Sequence, residues 1–176
     1  MKRLEVAANV SVLVVALLIC TVLTKQFLLP HPNQPLDSPG RPQAAQVAEP
    51  LKGKPLAIQG VTWSPRHPTL VMALATYCHF CIDSAPFYHT LSDMEHQGKL
   101  HADVVAAFPE DTGQARTFAS KYGFQPDKIV STSLDSIGVE GTPTLLLVGA
   151  DGHVQRQWTG RLSETDQNAL VKLLTN

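Results

Sequence analysis

The chain has 176 residues, 44% of them hydrophobic, with 14 Lys and Arg against 15 Asp and Glu and a formal net charge of −1. A balance this close to neutral, with no basic stripe at any point, excludes the electrostatic footprint of a nucleic-acid binder. The three cysteines, Cys20, Cys78 and Cys81, are too few and too unevenly spread for a disulfide-stapled small domain. Two of them lie so close together that their pairing cannot join distant parts of a fold, which points to a chemical rather than a structural use.

The first element is MKRLEVAANVSVLVVALLICTVLTKQ. Val6 to Thr24 carries no charge, and Asn9 is its only strongly polar member. As a helix it is long enough to cross a hydrocarbon core of about 30 Å. Lys2 and Arg3 precede it, an arrangement that keeps the N-terminus in the cytoplasm and sends the rest outside. Residues 1–29 are therefore expected to be a transmembrane anchor, embedded through residues 6–24. The expected location is single-pass in the cytoplasmic (inner) membrane, with the C-terminal domain on the extracytoplasmic side. A cleaved signal peptide is the rival reading, although Leu23-Thr24-Lys25-Gln26 is a poor small-x-small site. A buried helix of a soluble domain is the third. Cys20 reads as a small apolar filler near the outer end of the span.

Residues 30–52 hold six of the 13 prolines and no apolar periodicity. Proline at that density blocks regular helix and sheet ladders, so this stretch is expected to be an extended spacer.

Residues 53–176 make one compact domain's worth of chain. Pro55 to Gln59 suggests a short entry strand. Thr69 to Ala75 is an almost continuous apolar run, suited to a central strand covered on both faces. A helix is predicted over Ile82–Gln97, ended by Gly98 and kinked by Pro86. Ala102 to Phe108 reads as a second strand. Asp111 caps a helix with Gln114 at the reciprocal position, and Ala115, Phe118, Ala119 and Tyr122 follow at helical spacing. Ile129-Val130 suggests an edge strand and Thr144 to Val148 a core strand. Asp151-Gly152 is a hairpin turn leading to a return strand over Val154–Trp158. Ser163 and Asp166 open a last helix with Leu170, Leu173 and Leu174 on one side. The fold class is therefore α/β, a central mixed sheet with helices on both faces. A Rossmann domain would need a glycine-rich first turn, and that turn holds Tyr77-Cys78-His79-Phe80-Cys81 instead.

These cysteines lie where a core strand ends and a helix begins. Unpaired N–H groups at a helix start favour a thiolate at Cys78, and Cys81, one turn further in, is within reach to close a disulfide. The implied chemistry is attack by one thiolate on a partner disulfide and resolution by the second thiol. His79 either stabilises the thiolate or faces solvent on the first helical turn. Tyr77 is either a lid over the sulfur or ordinary packing, and Phe80 offers a contact surface for partners. Haem attachment would need His directly after the second cysteine, and residue 82 is Ile. Structural zinc would need a second such pair. A Cys2His2 copper site built from the two cysteines with His89 and His96, one heptad apart on the predicted helix, is the alternative function, as a copper-binding chaperone. A non-catalytic partner-binding domain with a vestigial disulfide is the third possibility. No metal ligand and no cofactor are assigned. In GVEGTPT, residues 138–144, Pro143 before a core strand is either cis and close to the sulfurs or an ordinary trans proline at a strand start.

TLVMALATYCHFCIDSAP and GVEGTPTLLLVGADGHVQRQWTGRLS together resemble the thioredoxin superfamily. The similarity is to its membrane-anchored, exported TlpA and ResA-like proteins of bacteria, which act in cytochrome c maturation and related thiol reduction. It covers about residues 53–176 and the anchor-plus-spacer layout. The resemblance implies a thioredoxin-like fold and a thiol–disulfide oxidoreductase acting on protein thiols or disulfides. It also implies that Cys78 is the nucleophile, Cys81 the resolver, and Thr142-Pro143 the substrate-docking loop. His79 and Tyr77 would tune the site. The chain departs from the group's pattern at Tyr77, where Trp is usual, and at Met72, where thioredoxin buries an aspartate. It departs again at Ser84, where the ResA-like group often has glutamate, and in the His-Phe dipeptide.

Overall fold

The computed structural model describes residues 50–176. The expected anchor and the spacer as far as residue 49 lie outside the described residues. Among those described, no helix is long and apolar enough to cross a membrane.

Five strands form one mixed sheet in the order β3-β2-β1-β4-β5. They are β1 (Thr69–Ala73), β2 (Asp103–Phe108), β3 (Lys128–Ser131), β4 (Thr144–Val148) and β5 (Val154–Thr159). The helices are α1 (His79–Asp83), α2 (Ala85–His96), α3 (Thr112–Lys121) and α4 (Glu164–Leu174), with a 3-10 turn at Asp135–Ile137. β1 is central, parallel to β2 and antiparallel to β4, and all five of its residues are buried. Its apolar run is explained by cover on both faces.

The two faces are not covered alike, which corrects the expectation of helices on both. Leu70, Met72, Val104, Ala106, Phe108, Leu145 and Leu147 point to one side, where they meet Tyr88 and Leu91 of α2, Phe118 of α3 and Leu170 and Leu174 of α4. Val71, Ala73, Val105, Ala107, Leu146 and Val148 point to the other, where Leu51, Leu56, Ile58, Ile137 and Val139 cover them and no residue of α1–α4 takes part. Topology is the reason. The crossovers from β1 to β2 and from β2 to β3 step in the same direction across the sheet, and right-handed crossovers then place their helices on the same face.

The loop-covered face begins earlier than the composition suggests. Leu51 is buried, and its N–H donates to Oε1 of the buried Gln157 at 3.2 Å. Packing thus reaches into the last residues given to the spacer. Pro55 to Gln59 is not a strand but forms a single bridge, Pro55 to His153. The chain here bonds β5 and its turn only in passing, through Gly53 N to Val154 O and Leu56 N to Gly152 O, both 2.8 Å, and Val154 N to Lys54 O at 3.0 Å. It then turns inward to bury Leu56 and Ile58. Gly152 has φ +77, and a Cβ on it would stand 2.8 Å from the Trp63 ring, so this hairpin needs glycine for both backbone and space.

The helix predicted over 82–97 is two helices. α1 ends at Ser84, whose Oγ donates back to Phe80 O at 2.7 Å, and α2 starts at Ala85 with Pro86 in its first turn. Pro86 does not kink a continuous helix there. Its missing N–H falls where no intrahelical partner exists, so it favours the start of α2.

Candidate active site

β1 and β2 run parallel, so their C-terminal ends open at the same edge of the sheet, the position where open α/β sheets place reactive groups. Leu74 N still donates to Ala107 O at 2.9 Å, after which the chain leaves the sheet for α1. Cys78 is the N-cap of α1, with extended backbone (φ −81, ψ 114). Its Sγ accepts from Cys81 N at 3.2 Å, so the sulfur takes the place that a serine or aspartate oxygen usually holds at a helix start. The thiol donates to the Thr142 carbonyl at 3.2 Å.

Thr142 arrives from the antiparallel side. The Thr142–Pro143 peptide is cis, and Thr144 begins β4 opposite Ala73 of β1. Gly160 N donates to Pro143 O at 2.7 Å, which ties the loop to the end of β5. The expected residues Cys78, Cys81 and Thr142 are thus in direct contact, with Pro143 adjoining. Both cysteines are unbridged.

The two thiols differ in environment. Cys78 is 9% exposed and Cys81 is fully buried. Burial pushes the Cys81 thiol well above its ordinary range, and hydrogen bonding to Cys78 and the charge it carries when ionised add to the shift. Tyr88, two turns further along the chain in α2, is also pushed upward, first by its own burial and next by charge on Cys81. Its ring packs edge-on to Phe124 at 5.6 Å. Beneath the site stands Met72, fully buried and apolar, where a carboxylate would be the alternative.

His79 does not take up the electrostatic arrangement with the sulfur. Its side chain is 80% exposed, and Nε2 lies 3.3 Å from Asp83 Oδ2 one turn along α1. Asp83 also approaches Arg161 Nη1 at 3.8 Å. The contacts of the imidazole run along the helix, whereas those of the sulfur are with Thr142 and Cys81. Tyr77 is 80% exposed and Phe80 56%, so Tyr77 is not a packing residue. It stands instead at one wall of an open cleft of about 480 Å³, whose other walls include Thr142, Gly141, Glu140 and Ser131 to Asp135.

One residue near the site escaped sequence reasoning. Glu110, two residues past β2, accepts through Oε1 from Thr76 N at 2.8 Å and from Thr76 Oγ1 at 2.6 Å. Its Oε2 is buried without a hydrogen-bond partner. The adjacency of parallel strand ends was the available signal, since whatever follows β2 must lie beside whatever follows β1. Among the described residues, no three His, Cys, Asp or Glu side chains converge in a way that could hold a metal ion.

No family model matches the chain, and no curated protein is detectably similar to it. Solved structures are similar. One, carrying the name thiol:disulfide interchange protein DsbE of Chlorobium tepidum, is 21% identical with a TM-score of 0.54, covering 69% of this chain and 93% of that one. A thiol:disulfide interchange protein from a Bacteroides species is 12% identical with a TM-score of 0.51, covering 64% and 76%. The thioredoxin domain of a thiol-disulfide oxidoreductase from Bacteroides vulgatus is 14% identical with a TM-score of 0.50, covering 64% and 81%. The fold is thioredoxin-like. Within that thioredoxin-like fold the CHFC pair occupies the strand-to-helix turn after the central strand, and the cis-proline loop faces it from β4.

Proposed function

We propose that this protein is an extracytoplasmic, membrane-anchored thiol–disulfide oxidoreductase that exchanges disulfides with a partner protein through Cys78 and Cys81. The observation that carries the reading is the placement of Cys78 Sγ at a helix start, bonded to Cys81 N–H and facing the Thr142 carbonyl. Export rests on the uncharged stretch at residues 6–24 and its basic leader.

The chemistry follows from the two environments. The Cys78 thiolate attacks one sulfur of a partner disulfide. A bond forms between Cys78 Sγ and that sulfur, and the other partner sulfur leaves as a thiolate. The Cys81 N–H stays with the reacting sulfur, while the thiol hydrogen bond to Thr142 is given up on ionisation. That carbonyl is then free to accept from an extended partner backbone. Cys81 holds its proton tightly first because it is buried, and further because the Cys78 sulfur bonds to it and, when anionic, repels a second charge. Formation of the mixed disulfide removes that charge. Cys81 then loses its proton, attacks Cys78 Sγ and releases the partner thiolate. Two electrons pass to the partner, and the Cys78–Cys81 disulfide is left. The reverse sequence oxidises a partner dithiol.

The test is exchange with a small neutral disulfide, followed on the reduced full chain. Cys78→Ser should abolish exchange. Cys81→Ser should retain the first step and accumulate a mixed disulfide detectable by mass. A Cys78→Ser chain that still exchanged through Cys81 would overturn the assignment of roles.

A further inference from the structure

The cleft beside the reactive sulfur is chemically one-sided. It opens next to Cys78, because two of its walls are Tyr77, the neighbouring residue, and Thr142, whose carbonyl accepts from the Cys78 thiol. Its lining includes three hydroxyl-bearing residues, Ser131, Thr132 and Ser133, beside Pro109, Leu134 and Val139. Among the described residues, its only charged lining residues are Asp135 and Glu140, both exposed, and no Lys, Arg or His lines it. Neither carboxylate has a cationic partner among the described residues, whereas Asp83, on the α1 side of the sulfur, is held by His79 and Arg161. The face that meets a partner therefore presents unneutralised negative charge on the cleft side and a neutralised cluster on the other. Its volume, about 480 Å³, admits a long side chain together with a short run of backbone.

We propose that this cleft selects the partner. It takes a lysine or arginine side chain carried within a few residues of the partner's reacting cysteine. Asp135 and Glu140 receive the cationic head, and Tyr77 lies along the aliphatic stem. The inference rests on the dithiol reading above and adds the class of polypeptide that the site favours. Two exposed carboxylates give modest affinity, and charge complementarity of this kind acts mainly on encounter and register.

The experiment uses the reduced full chain and two synthetic peptides of equal length. Each carries one cysteine as a mixed disulfide with thionitrobenzoate and differs only in having lysine or glutamate two residues away. Attack by Cys78 forms the Cys78–peptide bond and releases the coloured thionitrobenzoate thiolate, and Cys81 then frees the peptide thiol. At low salt the lysine peptide should react about fivefold faster than the glutamate peptide. That ratio should fall towards unity in Asp135→Asn/Glu140→Gln, and in wild-type protein as salt is raised from millimolar to molar. The salt series keeps the test decisive even where the double variant does not fold. Equal rates for the two peptides at low salt, or a ratio unmoved by salt and by the double substitution, would overturn the inference. So would preference for the glutamate peptide. A neutral disulfide, hydroxyethyl disulfide, separates the two claims. If the wild-type chain reduces it but does not discriminate the peptides, the cleft assignment alone falls. If the chain reduces none of the three, the redox reading falls with it.

Discussion

Thr76 and Glu110 are joined twice, through the Thr76 backbone N–H and its hydroxyl, across the C-terminal ends of two parallel strands. This clamp holds the turn that delivers Tyr77 and Cys78 to the start of α1. Glu110→Ala leaves a partly buried N–H and hydroxyl without their acceptor, at a cost of about 1–2 kcal/mol. Because it loosens the approach to the reacting sulfur, exchange should slow roughly threefold to tenfold. Glu110→Gln keeps one acceptor oxygen and should lose less on both counts. Denaturant unfolding and exchange kinetics on the same samples check this. Equal behaviour of all three proteins would show the clamp to be idle.

The difference in burial between the two cysteines predicts an order of modification. Iodoacetamide at pH 7 should label Cys78 and leave Cys81 untouched until the chain is unfolded. In Cys78→Ser the remaining site thiol should react at least tenfold more slowly than Cys78 does in Cys81→Ser. Peptide mapping by mass reads the order directly, and labelling of Cys81 first would contradict the geometry.

A second titrating group lies away from the site. Glu95 accepts through Oε1 from Val104 N at 3.0 Å, beside Asp127, whose Oδ2 lies 3.4 Å from the same nitrogen. Burial first, then the Asp127 carboxyl, push Glu95 up from 4.5 to about 9. The folded protein therefore binds this proton more tightly than the unfolded chain. The stabilising contribution of the protonated form is complete below about 4.5 and is lost progressively as pH rises towards about 9. Since the group is only half-buried, solvent screening reduces the loss to about 1–2 kcal/mol. Glu95→Gln should flatten the stability profile between those pH values and raise the melting temperature at pH 8. Thermal denaturation across pH checks both. A variant with an unchanged slope would assign the pH dependence elsewhere.

Gly138 has φ +73, and a Cβ there would lie 2.8 Å from Leu51 Cδ2. Gly138→Ala should destabilise the domain by about 1–2 kcal/mol from the backbone alone. The contact adds a smaller amount, because a leucine methyl can shift. In a Leu51→Ala background the contact contribution disappears and the backbone cost remains. A double-mutant cycle by denaturant unfolding separates the two.

The turn that carries Cys78 and Cys81 was the most legible part of the chain. An apolar run followed by Cys-x-x-Cys and a helical pattern places both sulfurs using local information alone, and the order of strands and helices suffices for a mixed sheet. Relations set by topology were harder to read. That α2 and α3 share a face depends on the direction in which successive crossovers move, and the alternation of elements does not reveal it. The break at Ser84 came from reading Pro86 as a kink inside one helix, when it sits where a second helix starts. Pro55 to Gln59 has the residues of a strand, but burying Leu56 and Ile58 under the sheet outweighs a ladder along β5. His79 was placed by its neighbour in sequence, Cys78. Its partner in space, Asp83, is the residue one helical turn away.

The seat of Leu51 has a practical bearing on how a soluble fragment should be cut. A fragment beginning at Gly53 would remove the side chain that fills the space next to Gly138 and the N–H that satisfies the Gln157 amide oxygen. Such a fragment would carry a solvent-filled notch on the helix-free side of the sheet, and its stability would understate that of the intact protein. Starting a few residues upstream keeps the plug in place.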